Sequence, residues 1–500
     1  MLLFLPISLF LLVIYSFCWP FTPVDDAYIT YRFAQHWSQS LGPVFNRQQL
    51  PVEGYSSLLW LLLLTLLAKI GASLPLASQI AGSFCALGTI LVTSLHDFPK
   101  RIHWLAVFSL VLCFPWCYHM VNGLETALFC LLLTLMTLTS FSPLLLAVLL
   151  PLTRPEGFVL VLVWALVQQW TQRRILRPVL LQVLLAGLVT LAQILARRLY
   201  YHDWIANSAR AKMLPLGLAW PHGLLDLARF TLAVSGLGLA IVLIAVFLWR
   251  RRGQLEQKPA VARALFLLLA FPILATSGGD SFPLWRFFVP LTPILFSLTD
   301  TAFTSVLTQL KMPQRTQQVA HILGIIAFAS LLMLPWNLLL PMVQLEGQWV
   351  QRWRAIALEL AKVLPNSTKI AAAPIGALGY YTDFEVVDLV GLTDRHIAQL
   401  PADTTYFYPG HQRHDGPYAL SLQPDLILLA NGPLVQDKQT PFPTQQIRVY
   451  EQDLVNSPIF QRDYQLVCVP LSPQVSVQLF ARKPLSQRPE WSCMHFGPRP

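Results

Sequence analysis

Long apolar runs recur from Met1 to about Pro341, separated by short polar breaks, and the pattern ends near Gln344. A bilayer core is crossed by about 20 mostly apolar helical residues. The runs therefore predict about eleven crossings, near residues 1–19, 76–95, 104–119, 124–140, 143–153, 158–171, 179–197, 228–249, 261–276, 286–304 and 318–342. The run from Ser57 to Ile70 is expected to dip into the membrane or lie along it, and the two runs flanking Thr153 to Gly157 are short for full spans. Beyond 344, charged residues, Asn, Gln and Pro become frequent. Short β-like runs appear there: KIAAAP from Lys369, EVVDLV from Glu385, DLILLA from Asp425, YQLVCV from Tyr464 and VQLFAR from Val477. Alternating with turns and helical stretches, they predict an α/β domain. The expected organisation is a polytopic α-helical membrane domain over 1–343, with a first outer loop at about 21–75, and a soluble α/β domain over 344–500.

Composition agrees with this reading. The chain is 55% hydrophobic and 12% charged, where soluble proteins carry roughly a quarter charged residues. The net charge of +10 points away from nucleic acid, because the basic residues sit in breaks between apolar runs and act as topology signals. Four such breaks, at Lys100–Arg101, at Arg173, Arg174 and Arg177, at Arg250–Arg252 and around Lys311 and Arg315, are placed in the cytoplasm by the positive-inside rule. Alternation then puts the N-terminus inside and the C-terminal domain outside, with Arg197 and Arg198 against the rule. The run Leu2–Phe17 lacks a basic n-region and a cleavage site, so it reads as a retained anchor.

The breaks assigned to the outer face hold acids, amides and aromatics instead. DDAYITYRFAQHW starts at Asp25 and is followed by GPVFN, ending at Asn46, and by VEGYSSLLW from Val52, which carries Glu53 and Tyr55. An amphipathic interfacial helix accounts for Tyr28, Tyr31 and Trp37. It does not account for adjacent carboxylates at Asp25 and Asp26, which repel and raise each other's pKa, with Arg32 following on the same helix. A carboxylate at the membrane surface beside a cation suits a general base for a sugar hydroxyl. NGLETALF places Glu125 at a helix start, where a carboxylate also complements the dipole. TRPEG sets Arg154 and Glu156 between apolar runs, where ionisable groups are costly unless paired or functional. YYHDWIANSARAK offers Asp203, Asn207, Arg210 and Lys212, and SGGDSFPLWRFFVPLTP pairs Asp280 with Arg286 beside two glycines. Each string is weak alone, but all five fall on one face, as a surface active site requires.

Five of the seven cysteines lie in or beside apolar runs and behave as small hydrophobes. Cys113, Cys117 and His119 imitate a ligand spacing within an apolar stretch, where packing is the better explanation. Cys468 and Cys493 either pair or stay reduced, according to compartment. His411, His414 and Asp415 read as a polar surface loop, and no metal or other cofactor is indicated.

In this order, the strings DDAYITYR, VFN, VEGY, GLET, TRPEG, YY-x-DW-x-x-N-x-x-x-AK, GGDSFPLWRF, DLVGLTD from Asp388 and PDLILLA from Pro424 resemble the GT-C superfamily of polyprenyl-phosphate-dependent glycosyltransferases. Within it they are most similar to the AftB-type terminal arabinofuranosyltransferases and the LphB-like proteins. The resemblance implies a bacterial cytoplasmic-membrane enzyme acting at the outer face. It implies a polyprenyl-phosphate-linked sugar as donor, such as arabinofuranose or another pentose, an envelope glycan or glycolipid as acceptor, and inversion. Carried onto these positions, it makes Asp25 or Asp26 the base. Arg32, Arg154, Lys212 and Arg286 become donor-phosphate ligands, where fixed cations stabilise a departing phosphate, and Glu53, Tyr55, Glu125, Glu156, Asp203, Asn207 and Asp280 become substrate-binding residues. Pro43 and Ser56–Ser57 depart from the group's usual wording, which bears on sugar identity. The C-terminal domain is expected to bind acceptor or to support the catalytic face. Two other classes compete. A secondary transporter predicts internal repeats and midplane charges, and neither is visible. A non-catalytic envelope assembly protein leaves the acid pair dispensable.

Overall fold

The computed structural model describes residues 4–493 apart from 22, 48, 173–175, 235, 237–238, 242 and 246–258. The basic breaks at Arg173, Arg174 and Arg250–Arg252 lie outside the described residues. Among the described residues, three helices are long and apolar enough to cross a bilayer alone: Leu74–Leu95, Arg177–Tyr201 and Gln314–Met333. A fourth candidate is a broken pair, Trp104–Leu112 and Phe114–Val121, bent by 69°. This corrects the single helix expected over 104–119. Cys113 is extended at the break and Pro115 opens the second segment, where a missing N–H cannot continue the preceding ladder. Other expected spans are short apolar helices, among them Thr126–Leu138, Pro143–Thr153 and Pro259–Ala275, and the run expected to dip into the membrane or lie along it forms the short apolar helix Leu58–Lys69. The span expected at 318–342 is divided as well. Gln314–Met333 ends before Pro335, and Trp336–Val363 then runs 28 residues through the expected domain boundary without a break.

Close helix approach is set by small residues. A Cβ added at Gly223 would lie 1.7 Å from the carbonyl oxygen of Ala275, so Leu216–Ala233 and Pro259–Ala275 meet backbone to backbone, as small residues permit in membrane bundles. Leu180, Leu184, Leu188, Leu191 and Leu195 line the exposed side of Arg177–Tyr201, a face suited to lipid.

The C-terminal region is a mixed sheet of six strands: β1 (Lys369–Ala372), β2 (Glu385–Asp388), β3 (Leu426–Ile427), β4 (Leu434–Val435), β5 (Tyr464–Ser472) and β6 (Val475–Arg482). β1 lies parallel to β2 and β3, while β6 pairs antiparallel with β3, β4 and β5. The β-like runs seen in the sequence became strands, whereas the two-residue β4 gave no signal. Cys468 and Cys493 form a disulfide that ties β5 to the chain's last described turn.

Polar contacts lock this region onto the loop that follows helix Asp25–Ser38 and onto the segment 201–207. Asn46 treats the edge of β2 as a strand partner, accepting from the Val386 N–H at 3.1 Å and donating to its carbonyl at 2.9 Å. Asn207 donates to the carbonyls of Gly391, Leu392 and Asp394. Arg395 reaches back to the Tyr201 carbonyl. Helix Asp25–Ser38, largely buried, is thereby held between the helical bundle and the sheet.

Candidate active site

Adjacent residues on a helix point about 100° apart, and the acid pair opening helix Asp25–Ser38 divides accordingly. Asp25 turns toward the C-terminal region, where its carboxylate oxygens accept the Gly376 N–H at 3.0 Å and the Ala377 N–H at 2.8 Å. Burial pushes its carboxyl up to about 7; the two N–H bonds pull the other way and burial prevails. A Cβ at Gly376 would stand 1.9 Å from the Asp25 carbonyl oxygen, so only glycine permits this docking. Asp26 points away into open space and meets Lys212 Nζ at 3.0 Å. Burial raises its pKa, but Lys212, Arg286 and the Lys212 hydrogen bond outweigh burial and hold the carboxyl below its ordinary value.

Asp26 and Lys212 stand where two cavities meet. The larger, about 580 Å³, is walled by residues of the polar breaks: Glu53 and Tyr55, Glu125, Arg154 and Glu156, Asp280 and Arg286. Its cations are held by acids. Arg154 Nε lies 2.7 Å from Glu156 and its Nη1 3.7 Å from Glu125. Arg286 pairs with Asp280 at 2.7 Å, and Arg197 pairs with Glu53. The Arg154 guanidinium also lies over the Phe287 ring, 4.8 Å from its centroid. Arg154 is buried and its Nη1 makes no hydrogen bond, leaving a fixed donor available to an anionic ligand.

Three predicted residues lie outside both cavities. Arg32 is fully buried and donates to the carbonyls of Phe45, Gly379 and Phe384, bridging the first polar loop and the sheet region. Asp203 pairs with Arg210 and accepts the Trp204 N–H. Asn207 is the docking residue described above.

The smaller cavity, about 90 Å³, lies beneath the C-terminal region and holds residues the sequence reading missed. Glu346 lines it from helix Trp336–Val363, with Trp349 and Trp353 at helical spacings of three and seven, so the face was legible as a pattern. Burial pushes the Glu346 carboxyl up to about 8, with Asp25, Asp26 and Asp280 adding to the shift. His411 also enters this cavity, correcting its placement on a surface loop. Its ring stacks on Tyr408 with centroids 4.1 Å apart, and Nδ1 lies 3.0 Å from the Pro409 carbonyl. Burial pushes it down to about 4, so it is neutral with Nδ1 as donor. The loop reading holds for its neighbours, since His414 bonds Asp453 and Asp415 caps helix Gly416–Ser421. His119 is bonded at both ring nitrogens, to the Leu284 carbonyl and to Asn122, as the packing explanation expects.

One group outside the cavities, His96, Asp97 and His103, has its ligand atoms within 4.8 Å of one another. Arg263 stands 3.5 Å from His96, and Arg101 lies 3.3 Å from His103 while pairing with Asp300. These arginines already supply positive charge there.

Compared with known proteins, the whole chain has an ArnT-like helical fold with a C-terminal mixed α/β region. Similar solved structures include ArnT from Cupriavidus metallidurans bound to undecaprenyl phosphate, at TM-score 0.56 and 12% identity over 96% of this chain and 97% of that one, and the same protein in the apo state, at TM-score 0.50 and 13% identity over 93% and 94%. Residues 343–491 match a family described as a domain of unknown function, DUF8728. No curated protein matches the sequence.

Proposed function

We propose that this chain is a multi-pass membrane glycosyltransferase of GT-C type that moves a sugar from a polyprenyl-phosphate donor to an envelope glycan or glycolipid. The observation that carries the reading is the placement of Asp26 at the junction of two cavities, with Arg154, Lys212 and Arg286 around the larger one. The donor's phosphate belongs in that larger cavity. The similar ArnT structure holds undecaprenyl phosphate, a ligand of the same chemical class.

In this scheme an acceptor hydroxyl attacks the anomeric carbon from the smaller cavity. Its proton passes to Asp26, the bond from sugar to phosphate breaks, and polyprenyl phosphate leaves with its charge met by the cations. Attack opposite the leaving group inverts the anomeric carbon. Lys212 has two partners in succession: it neutralises Asp26 in the empty site, and an incoming phosphate draws it away, restoring basicity to the carboxylate. Arg32 and Asp25 take supporting roles, holding the outer loop to the C-terminal region.

The reaction belongs at the outer face of a bacterial cytoplasmic membrane, with about eleven crossings and an extracytoplasmic C-terminal domain. A pentose such as arabinofuranose, as in the AftB and LphB-like group, is the proposed sugar. The test supplies membranes containing the chain with radiolabelled polyprenyl-phosphate sugars. Asp26→Asn is expected to lower transfer by about 10²- to 10⁴-fold, and transfer at the wild-type rate in that variant overturns the mechanism.

A further inference from the structure

We infer that the smaller cavity is a subsite for a single acceptor monosaccharide residue, held by Trp349, Trp353 and Tyr408 and oriented by Glu346 and His411. The inference rests on the glycosyltransferase reading and adds to it the acceptor's chemical class and binding residues.

Size is the first argument. A cavity of roughly 150 Å³ takes up benzene, so about 90 Å³ admits the edge of one sugar ring and is too small for an oligosaccharide. The remainder of a glycan acceptor has to lie outside.

The lining chemistry agrees. Trp349 and Trp353 lie with centroids 6.4 Å apart and planes inclined by 29°, and Trp353 Nε1 donates to the Asn431 carbonyl at 3.2 Å. A sugar ring has an apolar C–H face that packs on such surfaces, while its hydroxyl edge needs donors and acceptors. Glu346 makes no hydrogen bond or ion pair among the described residues. Its charge is opposed by Asp25, Asp26 and Asp280, so it stays protonated at neutral pH and both donates and accepts. His411, with Nδ1–H on the Pro409 carbonyl, keeps Nε2 as an acceptor. Lys212 and Arg448 are the cations on the same wall. A hydroxyl bound among these groups meets Asp26 from the side opposite the larger cavity.

The experiment uses the full chain in lipid nanodiscs. Thermal stabilisation is measured with methyl arabinofuranoside, methyl glucoside, methyl mannoside and methyl galactoside, and separately with undecaprenyl phosphate. At least one methyl glycoside is expected to stabilise the wild type. Its affinity should fall at least about fivefold in Trp349→Ala and Glu346→Ala and recover in Trp349→Phe and Glu346→Gln, while undecaprenyl phosphate affinity stays within about twofold in all four. The wild-type response should weaken above about pH 8 as Glu346 ionises, and Glu346→Gln should lose that dependence. If no glycoside stabilises the wild type, or if the alanine variants bind as the wild type does, the subsite is refuted. Glycoside binding without undecaprenyl phosphate binding would instead refute the donor reading.

Discussion

Asp25 and Asp26 are identical side chains one residue apart, and the fold gives them opposite environments. Asp26 keeps a cation at 3.0 Å in a partly exposed pair, so Asp26→Asn should cost at most about 1 kcal/mol of stability, with transfer falling by about 10²- to 10⁴-fold. Asp25→Asn should leave the fold weaker by about 1–3 kcal/mol, because one buried N–H loses its acceptor. Thermal unfolding in detergent, run beside the transfer assay, separates the two effects. The linkage sign follows from Asp25's raised pKa. The folded chain keeps a proton up to about 7 that the unfolded chain releases near its ordinary value, so this group's contribution is complete below that ordinary value and declines as pH rises through about 7. Asp25→Asn should flatten that slope. For Asp26 the sign is reversed. Lys212→Met removes the charge that favours ionised Asp26, and the acid limb of kcat/KM for donor should move to higher pH. An unmoved limb would detach Lys212 from the base.

At the scale of elements, a close backbone contact and a long helix position the candidate site. Gly376 presses on the Asp25 carbonyl at a distance no Cβ tolerates. Gly376→Ala should destabilise by about 1–3 kcal/mol through overpacking and increase protease cutting near the start of β2 while the bundle stays intact. If limited proteolysis shows no change, the docking carries less strain than its geometry requires. Helix Trp336–Val363 is the second such element. It leaves the bundle at Pro335 and delivers Glu346, Trp349 and Trp353 to the smaller cavity on one face. Its apolar first turns resemble the end of a spanning helix and its later turns an amphipathic one. Sequence patterning therefore divided it at about 343, although the helix has no break there.

For the whole molecule, the disulfide and the topology make one prediction each. Cys468 and Cys493 are 25 residues apart, and closing a loop of that length is worth about 3 kcal/mol to the folded state. Cys468→Ser should lower the melting temperature of the full chain, and an unchanged value would show that the sheet holds this edge alone. A reporter fused after residue 493 should give an extracytoplasmic signal; a cytoplasmic signal would invert the proposed catalytic face.

The apolar periodicity by itself determined that the chain is a helical bundle followed by an α/β region, because burial in lipid or in a sheet leaves a period in the sequence. The polar motifs were also legible as strings, since paired charges beside apolar runs are costly and therefore conspicuous. Helix breaks were less so, because Cys113–Pro115 is apolar on both sides. Tertiary structure alone decided which acid stands where the two cavities meet, that Arg32 binds carbonyls, and that His411 and Glu346 join Asp26. Those assignments rest on contacts between residues up to several hundred positions apart, such as Asp25 with Gly376. The direction of a side chain relative to a distant segment leaves no local pattern to read.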